Sequence, residues 1–127
     1  MNPMTTHGAF SWVEFQGEDV TSARSFYENV LGWQIAEMPM QDNTTYPGIM
    51  VGEQPVGGFA AHSGAQGSWL PYVTVDNVDQ RTRAAKDAGG EILSEPFDAP
   101  GVGRISVVRD PMGAAIAFIT YEEKPEA

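Results

Sequence analysis

The sequence has no cysteine, and only seven lysines and arginines stand against 17 aspartates and glutamates, a formal net charge of −10. Without thiols there are no disulfides, no zinc–thiolate sites and no cysteine nucleophile. The same absence fits a cytoplasmic protein, which is the expected setting. Phosphate backbones are bound by clustered lysine and arginine, so nucleic acid is excluded as a partner, and an anionic membrane surface with it. The acidic surface is read first as a solubility device. No apolar run approaches the roughly 18 residues that a membrane helix needs. The first ten residues, MNPMTTHGAF, carry neither the basic nor the apolar region of a secretory signal. There are two histidines, His7 and His62; His62 falls in a Gly/Ser segment, where exposure is the ordinary outcome. No P-loop or dinucleotide fingerprint is present. The G-x-G at Gly101–Gly103 lacks the third glycine and the helix that would give it meaning.

What is present reads as one domain of 127 residues with 42% hydrophobic content. The stretch Gly8–Trp33 organises it. Phe10–Gln16 alternates like a strand, with Trp12, Glu14 and Gln16 on one face and Ser11, Val13 and Phe15 on the other. Asp19 is placed to cap a helix whose apolar positions are Val20, Ala23, Tyr27, Val30 and Leu31, and Gly32 suits its left-handed end. Strands are predicted at 33–38, 46–51 and 56–61, with a loop at 39–45 and a tight turn at 52–54. Residues 62–68 (HSGAQGS) read as a linker. The pattern then restarts with a strand at 69–75 and Asn77 capping a helix over 78–88. A strand at 91–95, a loop at 96–103, a strand at 104–109, a turn at 110–113 and a strand at 114–121 follow. Shifted by 58 positions, Trp12 falls on Leu70, Phe15 on Val73, Asp19 on Asn77 and Gly32 on Gly90.

The implied fold is α+β: two tandem β-α-β-β-β modules, about 8–61 and 69–121, forming a curved eight-stranded mixed sheet around a cavity with the helices outside. Residues 1–7 and 122–127 read as flexible tails. Small molecules favour such cavities. Glu14 is the candidate acid or base, since a carboxylate beside an indole in a partly dry site is suited to proton transfer; pairing with Arg104 is the structural alternative. Trp12 and Tyr72 would offer flat apolar surface, with core packing as the alternative. Tyr46 is a further lining candidate. Arg104 would meet an anionic group at the cavity mouth, or serve only the surface.

The segments SFYENVLGW (25–33), VTVDNVD (73–79), KDAGGEI (86–92) and VVRDPMGAAIAFI (107–119) resemble the vicinal-oxygen-chelate superfamily over residues 8–121. That superfamily holds glyoxalases, bleomycin-resistance proteins, fosfomycin-resistance enzymes and extradiol dioxygenases. Metal-dependent members ligate a divalent ion from the first, fourth, fifth and eighth strands. The resemblance puts those positions at Trp12, Gly58, Leu70 and Ala117, none of which can donate a side-chain lone pair. No metal and no other cofactor is therefore expected, and these four residues are expected only to line the cavity. The resemblance implies a metal-independent, bleomycin-resistance-like protein that binds a small, partly aromatic molecule as a homodimer. The other reading is an enzyme of small-molecule metabolism, a lyase, isomerase or hydroxylase-like protein, with Glu14 as general acid or base.

Overall fold

Residues 1–64 and 66–123 are described in the computed structural model of the chain. Residue 65 of the expected linker and residues 124–127 of the expected tail lie outside them. The elements are β1 (Phe10–Gly17), α1 (Val20–Leu31), β2 (Gln34–Pro39), β3 (Thr45–Val51), β4 (Gln54–Ala61), β5 (Ser68–Thr74), α2 (Val78–Asp87), β6 (Glu91–Ala99), β7 (Gly103–Arg109) and β8 (Ala115–Tyr121). Strand, helix and three strands thus occur twice. The fold is α+β, with a mixed eight-stranded sheet. Two compact units share the chain, one of Trp12–Leu70 and one of Met1–Ser11 with Pro71–Ala127.

In the unit Trp12–Leu70 the strand order is β2-β3-β4-β1. β1 runs parallel to β4 with Glu14 beside Gly58, and β3 is antiparallel to β4 with Gly48 beside Gly58. Asp19 caps α1 through a bond from the Ser22 amide (3.0 Å), and Gly32 ends it at φ 69 with its N–H on Glu28 O. The five apolar positions that define the periodicity of α1 are not buried as a stripe. None of its residues is buried, and Val30 and Leu31 remain 61% and 55% exposed. Val20, Ala23 and Arg24 are half-buried, Arg24 bonds Glu37 of β2 at 2.6 Å, and Tyr27 supplies the aromatic anchor. Tyr27 stacks on Trp33 at 5.4 Å and meets Trp69 edge-on at 5.3 Å, and Trp69 also packs against Phe15 and Phe59. Trp69 Nε1 donates to Tyr27 OH at 3.3 Å. An aromatic cluster replaces the aliphatic stripe because large rings bury area through few residues.

The other unit orders its strands β5-β8-β7-β6 and owns a conventional aliphatic core. Val75, Val78, Ile105, Val108, Ala117 and Ile119 are buried. Asn77 caps α2 by accepting from the Gln80 amide at 3.0 Å. Thr82 Oγ1 gives its hydrogen to Val78 O at 2.6 Å, so Ser106 Oγ, 2.7 Å away, is the donor in the buried Thr82–Ser106 bond. That bond sets the face of β7 that looks at α2.

One element is longer than expected. Residues 96–103 read as a loop, yet β6 runs on to Ala99, with Phe97, Asp98 and Ala99 paired to Ile105, Arg104 and Gly103. β6 is the last strand of its order, and a register shift between Ser94 and Phe97 takes up Pro96. Proline is tolerated at such an edge irregularity. The N-terminal residues, read as a tail, make defined bonds: Thr74 Oγ1 donates to Pro3 O at 2.7 Å, and the Asp76 amide donates to His7 Nδ1 at 3.0 Å. Among the described residues no helix is long and apolar enough to cross a membrane.

The cap of α2 is open to direct test. Replacing Asn77 by alanine orphans the Gln80 amide and is expected to cost about 1 kcal/mol, read as a lower midpoint in urea unfolding.

Candidate functional site

Trp12, Glu14 and Gln16 fall on alternate positions of β1 and so share one face of the sheet. The same face carries Gly58, level with Glu14 on β4, and Gly48, level with Gly58 on β3. Tyr46 lies two residues before Gly48 and turns its ring over Gly58, where an added β-carbon would overlap the phenol. A continuous hydrogen-bonded chain results. Trp12 Nε1 donates to Tyr46 OH at 3.2 Å; Tyr46 OH donates to Glu14 Oε2 at 2.7 Å; Gln16 Nε2 donates to Glu14 Oε1 at 2.9 Å. The Trp12 and Tyr46 rings lie 6.3 Å apart at 33°. All four side chains are half-buried. Trp12 and Tyr46 each have a single polar hydrogen, and each spends it inside the chain. The flow of hydrogens ends on the Glu14 carboxylate, the negative pole of the cluster.

Leu70 and Tyr72 are buried on β5 and Ala117 on β8. Tyr72 stands level with Ala117 in the parallel pairing of those strands. Of the eight candidate residues, the structure brings Trp12, Glu14, Tyr46 and Gly58 together in one unit, and Tyr72 and Ala117 in the other. Gln16 was not singled out from the sequence, although its parity with Trp12 and Glu14 was the available signal. A second missed polar group joins Ser11, Thr74 and Tyr121. Ser11 Oγ lies 2.8 Å from Tyr121 OH and 2.9 Å from Thr74 Oγ1, and burial holds the Tyr121 phenol above its ordinary range.

Arg104 is held in two ion pairs. Its Nε and Nη2 reach Asp79 Oδ2 and Oδ1 at 2.7 and 2.8 Å, and Nη1 reaches Asp98 Oδ1 at 3.0 Å. Asp79 is on α2, and Asp98 faces Arg104 across the β6–β7 pairing. The guanidinium is held in its charged form chiefly by Asp79 and then by Asp98. It is engaged by two carboxylates of its own unit. The missed signal was the reach of the long strand β6, which brings Asp98 level with it.

The residues at the expected metal positions do not fit a metal. Trp12 offers an indole N–H, which is a donor only, Leu70 and Ala117 are aliphatic, and Gly58 has no side chain. Among the described residues no group of three or more histidine, aspartate or glutamate side chains is gathered to hold an ion. The opposite sheet face of the same unit has an apolar cavity of about 320 Å³ lined by Val13, Trp33, Ile49, Val56, Gly57 and Trp69.

Comparison with known proteins adds the following. The family model for the Glyoxalase/Bleomycin resistance protein/Dioxygenase superfamily matches residues 9–118. The chain is 32% identical over 114 residues to CFP32 of Mycobacterium tuberculosis, a provisionally assigned glyoxylase, covering 88% of this chain and 44% of that one. It is 29% identical over 126 residues to the anthracycline biosynthesis protein DnrV of Streptomyces peucetius, covering 87% and 46%. The chain therefore spans less than half the length of these relatives. In fold it resembles the crystal structure of methylmalonyl-CoA epimerase from Mycobacterium tuberculosis, with a TM-score of 0.61 at 15% identity over 91% of this chain and 89% of that one.

The ion pairs around this framework set an acid limit. The Arg81 guanidinium beside Asp76 lowers that carboxyl to about 2, from an ordinary value of 3.8. A depressed folded-state value gives stability that is complete above pH 3.8 and lost as the pH falls through 2. Asp79, depressed by Arg104, acts in the same direction. The thermal midpoint is therefore expected to fall modestly as the pH drops below about 4, and Asp76→Asn should flatten that fall.

Proposed function

This chain belongs to the Glyoxalase/Bleomycin resistance protein/Dioxygenase superfamily, and on that premise we propose that it is a metal-independent member that binds a small organic molecule with aromatic character. One observation carries the reading: the polar centre on β1 is organic, Trp12 to Tyr46 to Glu14, where the resemblance implies metal-ligand positions at Trp12 and Gly58. The indole and phenol supply flat surface, and the carboxylate supplies charge and a hydrogen-bond acceptor. Gly58 and Leu70, of the same unit, are proposed as further lining. Arg104 is left out, because three of its five N–H groups already serve Asp79 and Asp98 of its own unit. The name of the Streptomyces relative suggests polycyclic aromatic compounds as the first probes.

The proposal extends to assembly and setting. Relatives more than twice as long have room for a second such domain in one chain. Two copies of this chain would supply the same pair, so a homodimer is proposed, in the cytoplasm. A second reading, in which the protein is an enzyme, is favoured by the 2.7 Å bond between the Tyr46 phenol and Glu14. A carboxylate so placed is equipped to exchange a proton with a bound molecule.

The test is titration with an anthracycline, followed by quenching of tryptophan fluorescence. Saturable binding by native protein is expected, with no metal retained after purification without chelator. Glu14→Gln should weaken binding about tenfold, as loss of a charge-assisted hydrogen bond does. Arg104→Gln should leave affinity unchanged. A stoichiometric bound transition metal would overturn the proposal. If a substrate is found and Glu14→Gln removes turnover while leaving affinity intact, the enzyme reading replaces the binding one.

A further inference from the structure

Two glycines sit level with each other on the face that carries Glu14, and each has a large side chain lying on it. A β-carbon at Gly58 would overlap Cε1, Cζ and the hydroxyl of Tyr46, and one at Gly48 would overlap Sδ of Met38. Met38 and Tyr46 are themselves cross-strand partners on β2 and β3. Gly58 is not among the residues with positive φ. Its backbone is open to any amino acid, so what requires glycine there is space, and the Tyr46 phenol is what fills that space.

We propose that Tyr46 is a positioning residue that takes the place of the fourth-strand metal ligand. A side chain at residue 58 would rise into the volume that the phenol now holds. From that volume the hydroxyl accepts from Trp12, at the first-strand ligand position, and donates to Glu14. One phenol oxygen of β3 thus reaches across the bare Gly58 of β4 and holds two polar groups of β1, the Trp12 indole and the Glu14 carboxylate, at one point. The exclusion is mutual. A β-carbon at 58 and the phenol at 46 claim the same volume, so a β-carbon there displaces the phenol from Trp12 and Glu14, while Gln16 stays on the carboxylate. Tyr46, rather than Glu14 alone, then decides where the carboxylate stands. The consequence for ligands rests on the reading that Glu14 centres the binding site; the seating of Tyr46 does not.

The experiment uses the whole chain with Gly58→Ala, Tyr46→Phe, Tyr46→Ala and the Gly58→Ala/Tyr46→Ala double variant. In urea unfolding, Gly58→Ala should cost less than half as much in the Tyr46→Ala background as in the native one, because the clash is gone. In nitrogen-15 NMR, Tyr46→Phe and Gly58→Ala should both move the Trp12 indole N–H signal and speed its exchange. The Trp33 and Trp69 indoles should stay in place. The Gln16 side-chain amide should move as well, since it follows the Glu14 carboxylate; a merely structural tyrosine would leave it still. If Gly58→Ala fails to fold, Tyr46→Phe keeps the ring and the indole and amide signals still decide. Equal cost of Gly58→Ala in both backgrounds, or an unmoved Gln16 amide in Tyr46→Phe, overturns the proposal. For anthracycline binding, Tyr46→Phe should lower affinity about fivefold in native protein and less than twofold beside Glu14→Gln. Absence of any anthracycline binding counts against the proposed function, while the unfolding and NMR results continue to judge Tyr46.

Discussion

The phenol of Tyr46 and a side chain at residue 58 compete for the same space, and the phenol has it. Much of the site's character follows from that steric fact. Because Gly58 is bare, Tyr46 can lie flat across β4 and bring its hydroxyl between the indole of Trp12 and the carboxylate of Glu14. Because Trp12 and Tyr46 each give up their one hydrogen within the chain, the cluster ends in an acceptor with negative charge. Here two side chains of β1 gather on one phenol of β3.

The two units reach stability by different means. In the unit Met1–Ser11 with Pro71–Ala127, aliphatic side chains of strands and helix close a core of ordinary kind, and the buried Thr82–Ser106 bond fixes how α2 lies on β7. In Trp12–Leu70 few aliphatic residues are buried, and α1 is tied down through Tyr27 and the rings around Trp69. A ring cluster makes much contact through few positions, and the last turn of α1, with Val30 and Leu31, stays exposed. It also lies on the face opposite Glu14, so the packing of the helix and the chemistry of the cluster are served by alternate residues of one strand. Val13 and Phe15 look one way, Trp12, Glu14 and Gln16 the other.

The charged residues show how far local reading carries. Asp19 and Asn77 were legible as caps because a cap is satisfied by amides two or three residues away. Arg104 was legible as an important cation, but not its partners. Asp98 comes beside it only because β6 continues past Pro96, and Asp79 only because α2 lies over β7. In the same way Glu14 was recognisable as the acid of the first strand. Its neighbours Tyr46 and Gln16 depend on strand register and on a glycine more than ten residues away from the tyrosine.

The sequence by itself determined the element order, its repetition, the two caps and the absence of lone pairs at Trp12, Gly58, Leu70 and Ala117. These properties rest on residue type and short-range spacing, which a single chain displays openly. Only the tertiary structure decided that Tyr46 covers Gly58, that Arg104 belongs to Asp79 and Asp98, that β6 runs to Ala99 and that Tyr27 is the aromatic anchor of α1. Each of these is a choice among partners distant in the chain. Such choices are settled by pairing register and by the exclusion of two groups from one volume, neither of which is written at any one position.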